Sequence, residues 1–349
     1  MKVIFLLPSY VANSVSFIAY QYAETLTSRG YSAGVTSIRK SALKNCSLQY
    51  IPQWKILKCE VLVTNLFLPD LFGFFLSYVR PSMKWVVFLH CDIVGGLAAE
   101  RKPFAKIKAW LWRKVIAHAN TVISPSLYAL KNLNTIKHSV IIHHCINPEV
   151  EYSFRSSAGL PISKTHILTK YPLKSFSSSY VFIGRDTPAK RLFVLLSLLR
   201  IDPKCTIKVI GEISFSKEKI EQLTKEEFLR CTFYGYQEDP YQFLNNEDVV
   251  ICPSGREGFG LIPLECIARN IPVAVINEGA FRELYGDTSI VYSKISELPL
   301  SVSKLSGDVN MLKEKYIGAD ALNERVDRLI SVLFNDIEIN HGNSNKLID

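Results

Sequence analysis

Residues 253–265 read PSGREGFGLIPLE, with two carboxylates, Glu257 and Glu265, eight positions apart around Gly258-Phe259-Gly260. The preceding DVVIC is a continuous apolar run suited to a buried strand, and the residues that follow lead into a helix. Glycines at such a junction let a ligand approach the backbone, and the first free N–H groups of a helix favour a phosphate. Glu257 falls in the loop before the helix. Glu265 falls about two turns further in, where its oxygens accept hydrogen bonds from hydroxyls. A second junction, VFIGRDTPAKR, sets Arg185 and Lys190 five residues apart beyond another buried strand. A guanidinium fork and an ammonium so placed clamp phosphate oxygens. Together these residues describe a site that holds a diphosphate between two polyol groups. Taken one at a time, the glycines also suit a plain tight turn, and the acids and cations suit solvated surface.

A site of this kind needs a sheet to present it. The 349 residues exceed one ordinary core and suit two domains. Strand-like runs alternate with helical patterns: KVIFLLP, then SVSFIAYQYAETLTSRG ending at Gly30, then YSAGVTSI, EVLVTN, a helix over 69–79 begun by Pro69-Asp70, KWVVFLH, a basic helix over 101–118, NTVISPS and HSVIIHHC. The rhythm breaks over 148–178, which reads as a linker with a peripheral excursion. It resumes with SYVFIGR, TIKVIGE, TFYGY, DVVICPS, IPVAVIN and SIVY, with helices expected over 188–200, 216–229 and 240–246 and from Phe259. The expected class is α/β, two tandem doubly wound Rossmann-like units with ligands beyond the carboxyl ends of the strands. The first unit is placed at 1–165 and the second at 166–318. A terminal helix at 319–334 would pack back towards the first unit, and 335–349 would be a polar tail.

Composition removes several classes. Hydrophobic residues make up 48% and charged residues 21%, as in soluble globular proteins. MKVIFLLPSY has too short an apolar run for a signal peptide. VLVTNLFLPDLFGFFLSYV is interrupted by Asn65, Pro69 and Asp70 near its middle, against a membrane span. Eight scattered cysteines without C-x-x-C suit reduced core thiols and a cytoplasmic setting. No G-x-G-x-x-G follows the first strand, against a nicotinamide dehydrogenase, and no nucleic-acid module signature is present.

GRDTPAKR, TIKVIGE, FYGYQED and PSGREGFGLIPLECIARNIPVAV resemble the retaining nucleotide-sugar glycosyltransferases of GT-B fold, in particular the family-4 type of polysaccharide and glycolipid assembly. The likeness is strong over 180–292. It continues in order over 1–147 through SFIAYQYAETLTSRGYSAGVTS, WVVFLHCD and ANTVISPS. The resemblance implies that Glu257 contacts the donor sugar's hydroxyls near the reacting centre and that Glu265 holds the nucleotide ribose. It assigns Arg185 and Lys190 to the departing diphosphate, and the backbone of Gly258, Phe259, Gly260 and Leu261 to sugar and phosphates. His90 would stand near the transferred sugar, with Asp92 a weaker candidate, and Tyr236 would line the base pocket. His143 and His144 receive no role. Such enzymes need no dedicated nucleophile, and with no D-x-D motif neither metal nor cofactor is expected. The sequence departs from the family where LPSYVANSVS lacks a glycine pair, where Arg191 replaces a common glycine, and where 148–178 is long.

Charge divides unevenly. Residues 1–165 carry 19 Lys+Arg against 7 Asp+Glu, or +12, and residues 166–349 carry 22 against 25, or −3. In ERKPFAKIKAWLWRKVI (100–116), Phe104, Ile107, Leu111 and Val115 recur at helical spacing among six cations. Either this stripe faces the sheet, or the outer face, with Trp110 and Trp112, rests on anionic lipid. The second reading implies a peripheral enzyme on the inner membrane face with a glycan or lipid-linked acceptor. The rival readings are a nucleotide-sugar epimerase of the same fold and a catalytically silent nucleotide-sugar-binding partner.

Overall fold

The computed structural model describes residues 2–9, 13–39, 50–93, 104–133, 136–158, 160, 178–298 and 308–334. The first lobe runs β1 (Lys2–Leu7), α1 (Ser14–Ser28), β2 (Ser32–Ser37), β3 (Val61–Asn65), α2 (Phe67–Val79), β4 (Lys84–Phe88), α3 (Ala105–Ile116), β5 (Thr121–Ser124), α4 (Leu127–Leu130), β6 (Ser139–Ile141) and α5 (Pro148–Ala158). Its strands form one parallel sheet in the order β2-β1-β3-β4-β5-β6. The second lobe runs β7 (Ser179–Ile183), α6 (Leu192–Leu196), α7 (Leu198–Ile201), β8 (Thr206–Ile210), α8 (Lys217–Glu221), α9 (Lys225–Leu229), β9 (Cys231–Gly235), β10 (Asp248–Cys252), α10 (Leu261–Ala268), β11 (Val273–Ile276), α11 (Gly279–Tyr285), β12 (Val291–Tyr292), α12 (Val309–Tyr316) and α13 (Ala319–Phe334). Its sheet, also parallel, is ordered β12-β11-β10-β7-β8-β9. Two doubly wound α/β lobes are thus present, as the alternation predicted.

The strands explain themselves by burial. Every residue of β3 and β10 is buried, as expected of parallel strands covered on both faces; their polar members are bonded, Asn65 to Leu6 O and Asp248 to Lys208. Helix α2 starts at Phe67, two residues before the expected Pro69, since a proline in the first turn lacks only an N–H that would be unpaired anyway. Residues 148–158, read as linker, are helical: Phe154 packs against Phe17 and Tyr20 of α1 and secures α5 to the first lobe. The helices expected over 188–200 and 216–229 are each broken into two short pieces, and 240–246 holds only a 3₁₀ turn, Pro240–Phe243. Residues 161–177 and 335–349 lie outside the described residues. Of the cysteines, those described are free thiols, most of them buried.

The lobes share one apolar core and are joined by backbone pairing. Ile146 donates its N–H to Tyr316 O at 2.9 Å, and Gly318 returns one to Ile146 O at 2.9 Å. The buried Gln21 side chain bonds Cys145 O at 3.1 Å and Asn147 N at 2.9 Å. Helix α13 lies on α1, where Arg29 pairs with Asp327 and reaches Asn323 Oδ1 at 2.7 Å. Tyr31 stacks on Phe334 with centroids 4.8 Å apart.

The α3 stripe is corrected by the structure. Ala105, Ala109, Trp112, Val115 and Ile116 face inward, whereas Phe104, Ile107 and Leu111 are exposed together with Trp110. Trp112 is therefore no surface anchor: its indole N–H donates to Asp70 Oδ2 at 2.6 Å. Burial pushes the Asp70 carboxyl up to about 7. The folded state then holds a proton that the unfolded chain has released, so this group costs stability as pH rises from about 4 to 7. Asp70→Asn should remove that loss, amounting to a few kcal/mol at most. Thermal unfolding at pH 5 and pH 8 should show the variant gaining on the parent at the higher pH.

Candidate active site

Strands β7 and β10 are neighbours in the second sheet, so the loops leaving their carboxyl ends lie side by side. One carries Arg185 and Lys190 and the other carries residues 253–260. They meet in an ion pair between Lys190 Nζ and Glu257 Oε1 at 2.5 Å. Burial works against both charges, but each offsets the other's cost: the carboxyl is held below its usual range and the ammonium above its own, with Ser254 also bonding Glu257. Beside Glu257 the sequence offers only Arg256 as a cation, because Lys190 is 67 positions away in the chain. Arg185 is exposed, and its charge acts on Lys190.

Buried bonds that the sequence did not announce fix the cation loop. Asp186 accepts from Ser214 N at 3.2 Å, from Ser216 N, and from Ser216 Oγ at 2.7 Å, tying the β7 loop to the β8 loop. Gly211 approaches Gly184 so closely that a Cβ there would lie 1.9 Å from the Gly184 carbonyl oxygen. Arg191 has a left-handed backbone, φ +55°, which explains why glycine is common there. Its guanidinium packs over Gly255 and pairs with Glu278 at 2.8 Å.

The glycine loop is pressed against the first lobe. A Cβ on Gly258 would fall 2.7 Å from Cys91 Cα and 2.8 Å from His90 O. Gly258 O accepts from Ser126 Oγ, the cap of α4, and Glu283 of α11 accepts the N–H groups of Leu127 and Tyr128 at 2.8 and 2.9 Å. Helix α10 begins at Leu261, with Gly260 before it at φ +81°, so Glu265 stands only about one turn inside the helix. Phe259 turns away from solvent into an aromatic seam, 5.1 Å from His144 and 6.0 Å from Tyr316 between ring centroids. Only its backbone is left to meet a ligand.

His90 ends the first lobe's central strand region beside this loop. Its Nε2 lies 2.8 Å from Asn65 Oδ1, and Asn65 Nδ2 donates to Leu6 O at 3.2 Å. That bond makes Nε2 the protonated nitrogen and leaves the Nδ1 lone pair as acceptor. His90 stacks on both Phe88 at 5.1 Å and His144 at 5.4 Å in a three-ring cluster, and burial lowers its pKa to about 3. His144 is lowered likewise, and burial pushes His143 to about 4. All three imidazoles are neutral at physiological pH. Asp92 is buried near Tyr128 at the same lobe boundary.

Glu265 stands apart from the Glu257 pair, yet both act on the Cys252 thiol at the end of β10. Glu265 Oε2 accepts from the Tyr241 hydroxyl. It lines an interlobe cavity of about 150 Å³ with Tyr236 and Glu238 of its own lobe and with Asn13, Phe17 and Arg155 of the first. Tyr236 is 72% exposed at this mouth. The sequence reading missed Arg269, although it sits at i+4 from Glu265, the spacing of helical neighbours. It also missed Tyr241 and Glu151, whose part depends on chain-distant packing. Among the described residues no three His, Cys, Asp or Glu side chains gather as a metal site.

Because backbone, not a flexible side chain, confronts Gly258, Gly258→Ala must push the lobes apart. An overpacking cost of about 1–3 kcal/mol is expected. Thermal unfolding should show the drop.

Comparison with known proteins agrees with this geometry. Residues 166–329 match the family model described as Glycosyl transferases group 1. A 108-residue stretch is 30% identical to the O-antigen biosynthesis glycosyltransferase WclY of Escherichia coli, covering 30% of each chain. A 121-residue stretch is 31% identical to the lipopolysaccharide core biosynthesis mannosyltransferase LpsB of Rhizobium meliloti, covering 32% of this chain and 34% of that one. The chain thus aligns with about a third of the length of these relatives. Across the whole fold, HepE from Anabaena superposes with a TM-score of 0.70 at 16% identity, covering 95% of this chain and all of the other. Sucrose-phosphate synthase from Thermosynechococcus elongatus gives 0.67 at 16% identity, covering 96% and 99%. The chain therefore has the two-lobed architecture of GT-B glycosyltransferases, and residues 166–329 of it resemble the glycosyl transferases group 1 model.

Proposed function

We propose that the protein transfers a sugar, with retention, from a nucleotide-diphosphate sugar to a saccharide or lipid-linked saccharide acceptor in surface polysaccharide or glycolipid assembly. The observation that carries this reading is the half-buried Lys190–Glu257 pair, which joins the loop after β7 to a glycine loop that touches the opposite lobe beside His90. In sugar transfer the bond from C1 to the diphosphate oxygen breaks, so negative charge grows on the leaving group and positive charge on the ring. Lys190, the exposed Arg185 and the amides at Gly260 and Leu261 are fixed where the diphosphate would lie, and fixed dipoles favour the charge-separated transition state over the ground state. Glu257, held ionised, suits hydrogen bonds from the sugar's hydroxyls more than attack on C1. His90, neutral, offers an acceptor nitrogen without a repelling charge. Glu265 and Tyr236 at the cavity would take ribose and base. With protein cations serving the diphosphate, no metal or cofactor is invoked. HepE, in the same fold, is described in complex with UDP-glucose.

Lys190→Ala should leave Glu257 buried and unpaired and remove a diphosphate contact. A loss of about 10²–10³-fold in kcat is expected, with donor KM changed far less. The reading itself is tested by product analysis with UDP- and GDP-sugars, with and without a saccharide acceptor. Transfer with an unchanged anomeric configuration supports it. Epimerised donor without transfer would overturn it.

We also place the protein in the cytoplasm, peripheral on the inner membrane face. Helices α2 and α3 pack together, and their outer sides expose Phe72, Phe75, Tyr78, Ile107 and Trp110 among Lys106, Lys108 and Lys114. Exposed apolar side chains beside exposed lysines of α3 match an anionic bilayer, each cation contributing about 1 kcal/mol near the surface. No described helix is long and apolar enough to cross a membrane. In flotation assays the protein should rise with phosphatidylglycerol vesicles and not with phosphatidylcholine alone, and the double variant Phe75→Ser, Trp110→Ser should stay in solution. Equal recovery on both lipids would refute the placement.

A further inference from the structure

Glu265 is held by a chain of side chains that begins in the other half of the molecule. Glu151, on α5 and outside the residues matched by the family model, accepts from Arg155 Nε at 2.9 Å and from Arg269 Nη2. Arg269 returns a bond to Glu265 O at 3.0 Å and lays its guanidinium 4.5 Å from the centre of the Tyr241 ring. Tyr241 donates its hydroxyl to Glu265 Oε2. Glu151, Arg155 and Glu265 all line the interlobe cavity. The Arg269 and Glu151 side chains are each 11% exposed, so these charges are largely withdrawn from water and depend on one another.

We propose that Glu151 and Arg269 are positioning residues for the nucleotide: by bridging α5 to α10 they hold Tyr241, and through it the Glu265 carboxylate, against the cavity where the ribose hydroxyls bind. This rests on the reading of Glu265 as the ribose ligand. The helix that the sequence presented as linker thereby becomes one wall of the nucleotide site. It also sets the charge around Glu265, which must be ionised to accept two hydroxyls.

The groups facing Glu265 are Tyr241 before β10, Glu151 and Arg155 on α5, Arg269 and Cys266 on its own helix, Cys252 at the end of β10, and Glu238 across the cavity. Burial raises the Glu265 carboxyl and Glu151 raises it further, while Arg269 and Tyr241 lower it. Neutralising Glu151 should therefore keep Glu265 ionised to lower pH, and neutralising Arg269 should have the opposite effect.

The test is calorimetric titration of the full chain with UDP, GDP and ADP between about pH 5 and pH 8, using the nucleotide that binds. The nucleotide's own phosphate ionisation is common to all variants and cancels against the parent. Glu151→Gln should move the acid limb of binding down by about half a pH unit or more, and Arg269→Gln should move it up by as much. Arg269→Lys, which keeps the charge, should restore most of the shift, and Tyr241→Phe should follow Arg269→Gln. A purely structural role would lower the unfolding temperature of the variants without opposite displacements. If Glu265→Gln weakens binding but Glu151→Gln and Arg269→Gln shift nothing, or shift the same way, the positioning role is overturned and the ribose assignment stands. If the parent binds none of the three nucleotides, or Glu265→Gln binds as the parent does, the ribose assignment fails and this proposal with it.

Discussion

An ammonium and a carboxylate taken out of water each cost several kcal/mol unless they meet in good geometry. Lys190 and Glu257 meet, and this condition organises the second lobe. Lys190 can reach Glu257 only if β7 lies beside β10, which the parallel order of the sheet supplies. It also requires that the loop after β7 bend back, which Asp186 enforces by accepting amides and a hydroxyl from the β8 loop. Breaking either support would leave a half-buried charge without its partner, so the pair's geometry and the loop's shape depend on each other.

The same loop faces the first lobe without slack. Gly258 is in contact with the His90-Cys91 backbone, its carbonyl is taken by Ser126, and Phe259 fills the seam between His144 and Tyr316. A reacting centre at that contact would be shielded from water on one side by neutral imidazoles and aromatic rings. The histidine group contributes shape and hydrogen bonding, since its burial keeps it uncharged. The ion pair beside this loop, Lys190 with Glu257, comes from the second lobe.

The sequence itself specified a good deal. Predominantly apolar runs such as DVVIC and KWVVF determined buried parallel strands, because a strand covered on both faces favours apolar side chains. Glycines at Gly30, Gly258 and Gly260 marked turns and a close approach. The E-G-x-G junction, Arg185 and Lys190 were legible as candidates because they stand at strand ends, and the structure sets those two loops side by side. The α3 periodicity misled for a physical reason: with alanines and Trp112 able to pack inward against α2, the bulkier Phe104, Ile107 and Leu111 were left outside, so residue size and partner, not spacing, chose the buried face.

What tertiary structure alone decided is which distant residues share one dry space. Lys190 with Glu257, Gln21 with Cys145 and Asn147, and Glu151 with Arg269 are each joined across 67 to 126 positions. No local pattern encodes such pairs, since the desolvation that makes them interact exists only once both lobes have packed. Local periodicity and backbone chemistry determined the strands, most helices and the candidate loops from the sequence. Long-range burial determined which charges those loops hold, and from which helix.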